Sequence, residues 1–433
     1  MHNDNSNRQA LSFTREQSTF KRKADKLVKE YIAPNAEKTD REGQFPTENI
    51  RQLGKEGLLG LGIRKEFGGV GGDPLATTLV IESIAKGCAS TAMSYLMHIS
   101  TIPLFNALVN EQQVDAFLKP IVEGEWLGAL AMSEPTTGSR LWHMESYAEQ
   151  DGDFFTMDSF KSFATSSGYA NFYILPVRTD KHSKANELSV FLVDGKDPNI
   201  NLIGKWDAMG LRGNSSTPVH FKNCRVPSFN RLGKPNCGFS MLMAYTLPIY
   251  FIGLSAVYLG IAQSAYDAAV AKVKQRSYSD TRNTASDIET IQRYVGEMKT
   301  KLSILRESIY KGARLTTEIN NVFNELSRAD LLTQLLDKAQ NDKFFVEIAL
   351  LKIAACEASQ FVVDKALQIS GGQGYKRGNI VERCYRDARA GALMGPSNDI
   401  LKVIIGKREL GLSYPWEETK QQTFSEANLS ITT

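Results

Sequence analysis

The chain has 433 residues, 42% hydrophobic and 23% charged, a balance that suits a soluble globular protein with a large core and roughly two or three structural units. Its 51 basic and 48 acidic residues are spread along the chain and leave a net charge of +3, which excludes a nucleic-acid groove; the Lys21-Arg22-Lys23 cluster lies in a helical pattern with acids nearby. Five cysteines without CxxC spacing fit a reduced compartment, and five histidines without an HxxxH or HxH pair give no metal site.

The segment His2 to Gln9 is polar and lacks the apolar region of a signal peptide, so a cytoplasmic location is expected. From residue 10 to about 125 the periodicity is helical. Phe20, Ala24, Leu27 and Tyr31 recur at three- and four-residue spacing, with Pro34 expected to end that helix. Thr47 is expected to cap a helix from Glu48 to Glu56, and Leu75–Ala85 and Ala92–Leu108 are apolar enough for core helices. Phe67-Gly-Gly-Val-Gly-Gly-Asp73 follows no strand of a βαβ unit, so it reads as a loop rather than a dinucleotide fingerprint.

The pattern changes near Trp126. Short β-rich segments begin at Trp126, Phe154, Asn171, Glu187 and Val219, separated by turns such as Asp151-Gly152 and Asp194-Gly195. They predict an antiparallel sheet domain over about 126–235. Helical patterns return at 239–275, 286–325, 328–370 and 397–409, and 413–433 is a polar, loose tail. No charge interrupts Cys237 to Tyr266, which is membrane-span length. Pro248, Gly253 and six polar side chains break it, so a buried central helix is expected and no membrane contact. The fold class is therefore α+β, mainly α: an N-terminal helical domain (10–125), a central β-domain (126–235), a C-terminal helical bundle (236–412) and the tail.

Three stretches can carry chemistry. In Ala131-Met-Ser-Glu-Pro-Thr-Thr-Gly-Ser-Arg140, hydroxyls, backbone amides and Arg140 suit an anionic or polar-edged ligand, and equally a turn. Lys161-Ser-Phe-Ala-Thr-Ser-Ser-Gly168 suits a flat ring stacked on Phe163 and bonded by Thr165, or a plain hairpin. Gln368-Ile-Ser-Gly-Gly-Gln-Gly-Tyr375 runs on through Arg386-Asp387-Ala388 to Met394-Gly-Pro-Ser-Asn-Asp399. Its glycines at 371, 372 and 374 permit positive φ and close backbone approach, though alone they describe a helix cap and a loop.

Together, Glu134-Pro135…Gly138-Ser139, Lys161-x-Phe163-x-Thr165, Met209-Gly210…Ser216, Gln368-Ile-x-Gly-Gly-x-Gly374 and Arg386-Asp387-Ala388 resemble, in order and spacing, the acyl-CoA dehydrogenase superfamily. Ile81-Glu-Ser-Ile-Ala-Lys-Gly-Cys88 also fits its N-terminal domain, and the resemblance spans roughly residues 12 to 412. It implies a central β-barrel-like domain between two helical ones, FAD between them, an acyl-thioester substrate, and a homodimer or homotetramer. By the resemblance, Leu130, Met132 and Ser133 line the flavin ring. Phe163 stands at a usual Trp, and Thr165 bonds the flavin. Gly138 and Ser139 lie near the pyrophosphate and the substrate pantetheine. Gln368, Gly371 and Gly372 meet the FAD of a neighbouring subunit, Arg276 or Arg282 binds phosphate, and Ser397 and Asp399 touch the adenosine half.

The departures concern the reaction. The family's catalytic Glu falls at Gly395, and the alternative position used by a subset falls at about Tyr250. An Arg expected on that helix falls near Phe251, an Asp expected after Gly138-Ser139 is Arg140, and a Phe-Gly pair after the phosphate-binding Arg is replaced by Ser277-Tyr-Ser-Asp280. No catalytic residue is assigned. Asp399 reads as a helix cap or flavin contact, His143 as a partly exposed structural histidine, and Tyr375 as core. Lys407 lies near the family's active-site rim Arg, consistent with a polar or acidic thioester. Three functions follow: an acyl-thioester dehydrogenase with a displaced base, a flavin monooxygenase or oxidase on the same fold, or a flavin- or thioester-binding relic without turnover.

Overall fold

A computed structural model describes residues 13–277, 284–328 and 343–418. The polar N-terminus, the tail beyond Glu418, Arg282 and most of the Ser277–Asp280 replacement lie outside the described residues. So does the part of the expected 328–370 helix before Lys343.

The N-terminal unit is helical: α1 (Arg15–Leu27), α2 (Ala33–Glu42), α3 (Thr47–Lys55), α4 (Pro74–Gly87), α5 (Ala89–Ile99) and α6 (Ile102–Leu108). Pro34 does not end a helix as expected. The chain passes from α1 through a π turn, Val28–Ile32, and Pro34 sits in the first turn of α2, where its missing N–H costs nothing. Thr47 is the first residue of α3 and makes no cap, because Pro46 takes the N-cap position. Asp73 does cap: its Oδ1 accepts from the Ala76 N–H at 2.7 Å, with Pro74 just inside α4. The apolar stretch 92–108 divides at Ser100-Thr101 into α5 and α6.

The central unit is a pair of four-stranded sheets built from β1 (Gly128–Leu130), β2 (Ala148–Asp151), β3 (Phe154–Lys161), β4 (Phe172–Arg178), β5 (Leu188–Asp194), β6 (Ile200–Leu202), β7 (Val219–Pro227) and β8 (Arg231–Leu232). The orders are β1-β4-β5-β8 and β2-β3-β7-β6. The expectation of antiparallel pairing holds for every ladder but one. β1 runs parallel to β4, with Gly128 opposite Phe172 and Leu130 opposite Ile174. Met157, Tyr173, Phe191, Val193 and Phe221 fill the space between the sheets as a core of their own.

The C-terminal unit comprises α7 (Leu247–Gln275), α8 (Glu289–Arg328), α9 (Lys343–Gly374), α10 (Ile380–Arg389) and α11 (Asn398–Glu409). A short helix and a π turn, Leu242–Thr246, lead into α7. The helical run Gly238–Gln275 has the length and hydropathy of a membrane span, but its most apolar stretch is wholly buried in protein. It packs on α9 on one side and α4 on the other, which explains why it is apolar all round. α9 is broken at Gly371 (φ 59°, ψ −159°), a conformation that only glycine adopts cheaply. Tyr375, just beyond, is 77% exposed rather than core, because the break turns the chain outward.

Candidate active site

A cavity of about 540 Å³ lies where the three units meet. Its walls come from the segment after β1, the turn after β3, the 206–216 loop, the start of α7 and the α10–α11 connection. Each wall is held by identifiable contacts.

β1 is fixed to the N-terminal unit by His98 of α5. The Gly128 N–H donates to His98 Nδ1 at 2.9 Å, so the proton must sit on Nε2, which donates to Leu59 O at 2.9 Å. Burial pushes this imidazole down to about 4, and it is neutral. Beyond β1, the Ala131 N–H donates to Ile174 O (3.0 Å) and the Ser162 N–H to Ser133 O (2.7 Å), joining the first wall to the second. Glu134 accepts from the Glu145 N–H (2.7 Å), the Ser146 N–H and the Ser146 hydroxyl, and pairs with buried Lys161 Nζ at 2.9 Å. Lys161 also donates to Pro176 O at 2.9 Å. Burial alone would push the Glu134 carboxyl up; the Lys161 charge and the donors outweigh it and hold the group below its ordinary value. Glu134 is a structural anion with its oxygens committed.

The 206–216 loop is clamped by the motif Arg386-Asp387. The Leu211 N–H donates to Asp387 Oδ1 at 2.6 Å, and Arg386 donates to Met209 O at 3.0 Å. Arg386 also forks onto Asp40 of α2 (2.8 and 2.6 Å) and pairs with Glu382, while Arg212 Nε reaches Asp40 O at 2.9 Å. All three units meet in this cluster. Gly210 is required there, since a Cβ would fall 2.4 Å from Arg386 O. Burial pushes the Asp387 carboxyl up to about 6 despite the Leu211 donor.

The α10–α11 connection is held from below by Lys352 of α9. Its buried ammonium donates to Met394 O (3.3 Å), Pro396 O (3.0 Å) and Asn398 Oδ1 (2.8 Å). Ser397 caps α11 through the Ile400 N–H.

Leu130, Met132, Ser133, Gly138, Ser139, Phe163 and Thr165 all line this cavity, together with Met209, Gly210 and Ser216 of the matched blocks. Gln368, Gly371, Gly372, Arg276, Ser397 and Asp399 do not. Arg276 and the α9 break form a separate group, with an Arg276 guanidinium nitrogen 3.6 Å from where a Gly371 Cβ would stand. Asp399 is exposed in the first turn of α11, where its charge favours the helix dipole, and the side-chain cap is Ser397 instead.

Trp206, Asn214, Thr246, Met97 and Arg389 were not singled out in the sequence and also line the cavity. Trp206 stands edge-on to Phe163 (centroids 6.3 Å apart, 80°) and donates to Leu211 O at 2.9 Å. Its adjacency to Met209-Gly210 was the available signal; the others carry none, since they sit on ordinary helical or loop spacing. Gly395 and Tyr250 both line the cavity, and among the described residues Glu134 is the one acid on its surface.

The donor set fits a flavin. The lining is mostly apolar, as a flat fused ring requires. Thr165 and Ser216 hydroxyls pair at 2.8 Å, a bond that uses one of their two protons and leaves the other for a ligand edge. Asn214 Oδ1 is buried without a hydrogen-bond partner, an acceptor awaiting a donor. Gly138 (φ 56°) has nothing within 4 Å of a Cβ, leaving its backbone open to approach.

Fold and site together define an FAD-dependent oxidoreductase acting on CH–CH bonds. The comparisons with known proteins give the family. Acyl-CoA dehydrogenase N-terminal, middle and C-terminal domain models match residues 14–125, 129–224 and 236–410. The chain is 30% identical over 403 residues to a probable acyl-CoA dehydrogenase, YngJ, of Bacillus subtilis, covering 92% of this chain and 99% of that one. It is 31% identical over 378 residues to human mitochondrial short-chain specific acyl-CoA dehydrogenase, covering 86% and 85%. The solved structure of butyryl-CoA dehydrogenase from Megasphaera elsdenii superposes with a TM-score of 0.82 at 28% identity, covering 92% and 99%. The chain belongs to the acyl-CoA dehydrogenase family and is an acyl-thioester dehydrogenase of that type.

Proposed function

We propose that this chain dehydrogenates an acyl thioester, carried by CoA or a carrier protein, without a side-chain carboxylate taking the α-proton from position 395 or 250. The observation that carries this is the cavity surface: Gly395 and Tyr250 occupy it, and the one acid on it among the described residues, Glu134, is locked to Lys161 and three other donors. A phenol whose pKa burial has pushed up is not a base at neutral pH. FAD in this cavity would take up the two electrons as a hydride. The chain's own residues bind and exclude water. Leu130, Met132, Phe163 and Trp206 give an apolar lining, and Thr165 with Ser216 offers a hydroxyl to the flavin edge. Arg389 lines the cavity, is exposed, and has no acidic partner among the described residues, in contrast to fully paired Arg386. That leaves it for the phosphate that CoA and phosphopantetheine share. Gln368, Gly371, Gly372 and Arg276, away from the cavity, are proposed to meet the FAD of a second subunit in a homodimer or homotetramer.

Anaerobic mixing of the flavin-loaded protein with butanoyl-CoA and longer acyl-CoAs tests the reading. Bleaching of the oxidised flavin band is the expected result, and no bleaching at any chain length overturns it. The lack of a free carboxylate on the described lining also favours a second reading, an oxygenase using reduced flavin and O₂. Hydroxylated product from an amine, phenol or thiophene supplied with reduced flavin would support that alternative, and peroxide alone would eliminate it.

A further inference from the structure

The buried tyrosines of this chain are normally partnered. Tyr95 donates to Leu58 O (2.8 Å), Tyr310 to Glu82 (2.6 Å) and Tyr258 to Met394 Sδ (3.5 Å), while Tyr173 accepts from the Gly168 N–H. Tyr250 is the exception among them. It is buried, lines the cavity, and its hydroxyl makes no hydrogen bond among the described residues. Among buried helical hydroxyls, Ser94 and Ser359 have no partner but lie away from the cavity, whereas Ser255 closes onto Phe251 O and Thr316 onto Gly312 O, each at 2.8 Å. Thr246, one turn before Tyr250 and at the end of the π turn, does not. It is 3% exposed, lines the cavity, and its hydroxyl is buried without a partner. π turns are found disproportionately at functional sites, because the extra residue displaces side chains from the regular helical face.

These two hydroxyls lie at i and i+4, on one face of the helix. On a third wall, the α10–α11 connection, Leu393 and Met394 are apolar and position 395 offers no side chain: a Cβ on Gly395 would meet nothing closer than Ser139 Oγ at 3.8 Å. The cavity is therefore widened at 395 and hydroxyl-lined at 139, 246 and 250. That is a poor tunnel for a bare alkyl chain, which would leave both α7-side hydroxyls without partners.

We propose that Tyr250 and Thr246 are specificity residues that hydrogen-bond a heteroatom substituent on the acyl group, so that the preferred substrates are hydroxy- or amino-substituted acyl thioesters rather than plain alkyl ones. This rests on the acyl-thioester reading of the cavity. Tyr250 remains a neutral phenol and serves as donor or acceptor, and Thr246 does the same. A site built on such groups discriminates strongly against an analogue that lacks their partner.

The test is anaerobic equilibrium binding of butanoyl-CoA and 3-hydroxybutanoyl-CoA, by calorimetry, to the protein loaded with already reduced flavin, which cannot oxidise either thioester. The unaltered protein is expected to bind the hydroxy compound about tenfold tighter or more. Tyr250→Phe, which keeps the ring, is expected to bring the two constants within about threefold, and Thr246→Val to narrow the gap in part. Equal binding by the unaltered protein overturns the proposal, as does a preference that survives in both variants. Binding of neither thioester removes the acyl-thioester reading and this proposal with it, whereas binding of both without preference removes this proposal alone.

Discussion

The clasp around Arg386 and the cavity wall around Gly395 lie nine residues apart in sequence and are built on opposite plans. At the clasp every charge has a partner: Asp40, Glu382 and Arg386 lock together, and Asp387 accepts from Leu211. At the wall Lys352 grips the main chain on both sides of residue 395, and that position, where the family's acid is expected, has no side chain at all. The difference teaches that the family fold is secured by contacts that do not include the reacting groups. The scaffold can stay intact while the chemistry in its cavity changes.

Breaking the clasp is expected to have the largest effect. Arg386→Ala leaves Asp40 and Glu382 facing each other and should cost about 3–5 kcal/mol, read as a fall in the urea midpoint, with Arg386→Lys recovering only part because it cannot fork. His98 comes next. Its imidazole is held at about 4 against an ordinary 6.5, so the unfolded chain binds more protons than the folded one in that interval. Its stabilising contribution is complete above about 6.5 and falls by roughly 3 kcal/mol as pH drops to 4. Asp387, raised from 3.8 to about 6, works in the opposite sense. It favours the folded state below about 3.8, and that advantage is lost as pH rises through 6. The two slopes oppose each other between pH 4 and 6. Replacing His98 by Asn should therefore make stability fall more steeply, or rise less, with increasing pH there, which denaturation at a series of pH values would reveal.

The remaining predictions sharpen the cavity side of the contrast. Gly395→Glu should fold normally, since φ at 395 is not in the left-handed region and the site has room for a Cβ. With a carboxylate supplied, flavin reduction by butanoyl-CoA should accelerate by about 100-fold, within the range for a placed general base, as stopped-flow absorbance would show. An unchanged rate would mean that the missing carboxylate is not what limits the reaction. Thr165→Val should be the smallest change, weakening flavin retention by about tenfold with the thermal midpoint of the flavin-free protein unmoved, measured by the fluorescence of released flavin.

Much of this was legible in the residues themselves. The order helices, strands, helices follows from the switch in periodicity near Trp126 and back after Pro235. Seven of the thirteen residues expected at the cofactor line one cavity, because the Glu134-Pro135 and Phe163-x-Thr165 blocks follow β1 and β3, strands of different sheets whose continuations are joined by the Ser162 N–H to Ser133 O bond. What stayed hidden depends on contacts between distant parts of the chain. Nothing local in Gly128–Leu130 says that it pairs parallel with β4 rather than antiparallel with a neighbour. Pro34 reads as a helix stop, yet a π turn realigns the chain so that the proline starts the next helix. Tyr375 looks like core by composition, and only the Gly371 break decides that it faces solvent. Trp206 and Thr246 gain their meaning from the cavity, which no spacing rule encodes.

Lys352 gives the Gly395 wall a further property. The buried ammonium grips the main chain on both sides of residue 395, through Met394 O and Pro396 O, and asks nothing of the side chain between them. The loop thus acts as a socket whose shape does not depend on what is plugged into it. A lineage can empty such a socket, or refill it with an acid, by a single substitution and without relearning how to fold. Reaction type on this scaffold is therefore an interchangeable part, and the lysine beneath it is what makes the exchange cheap.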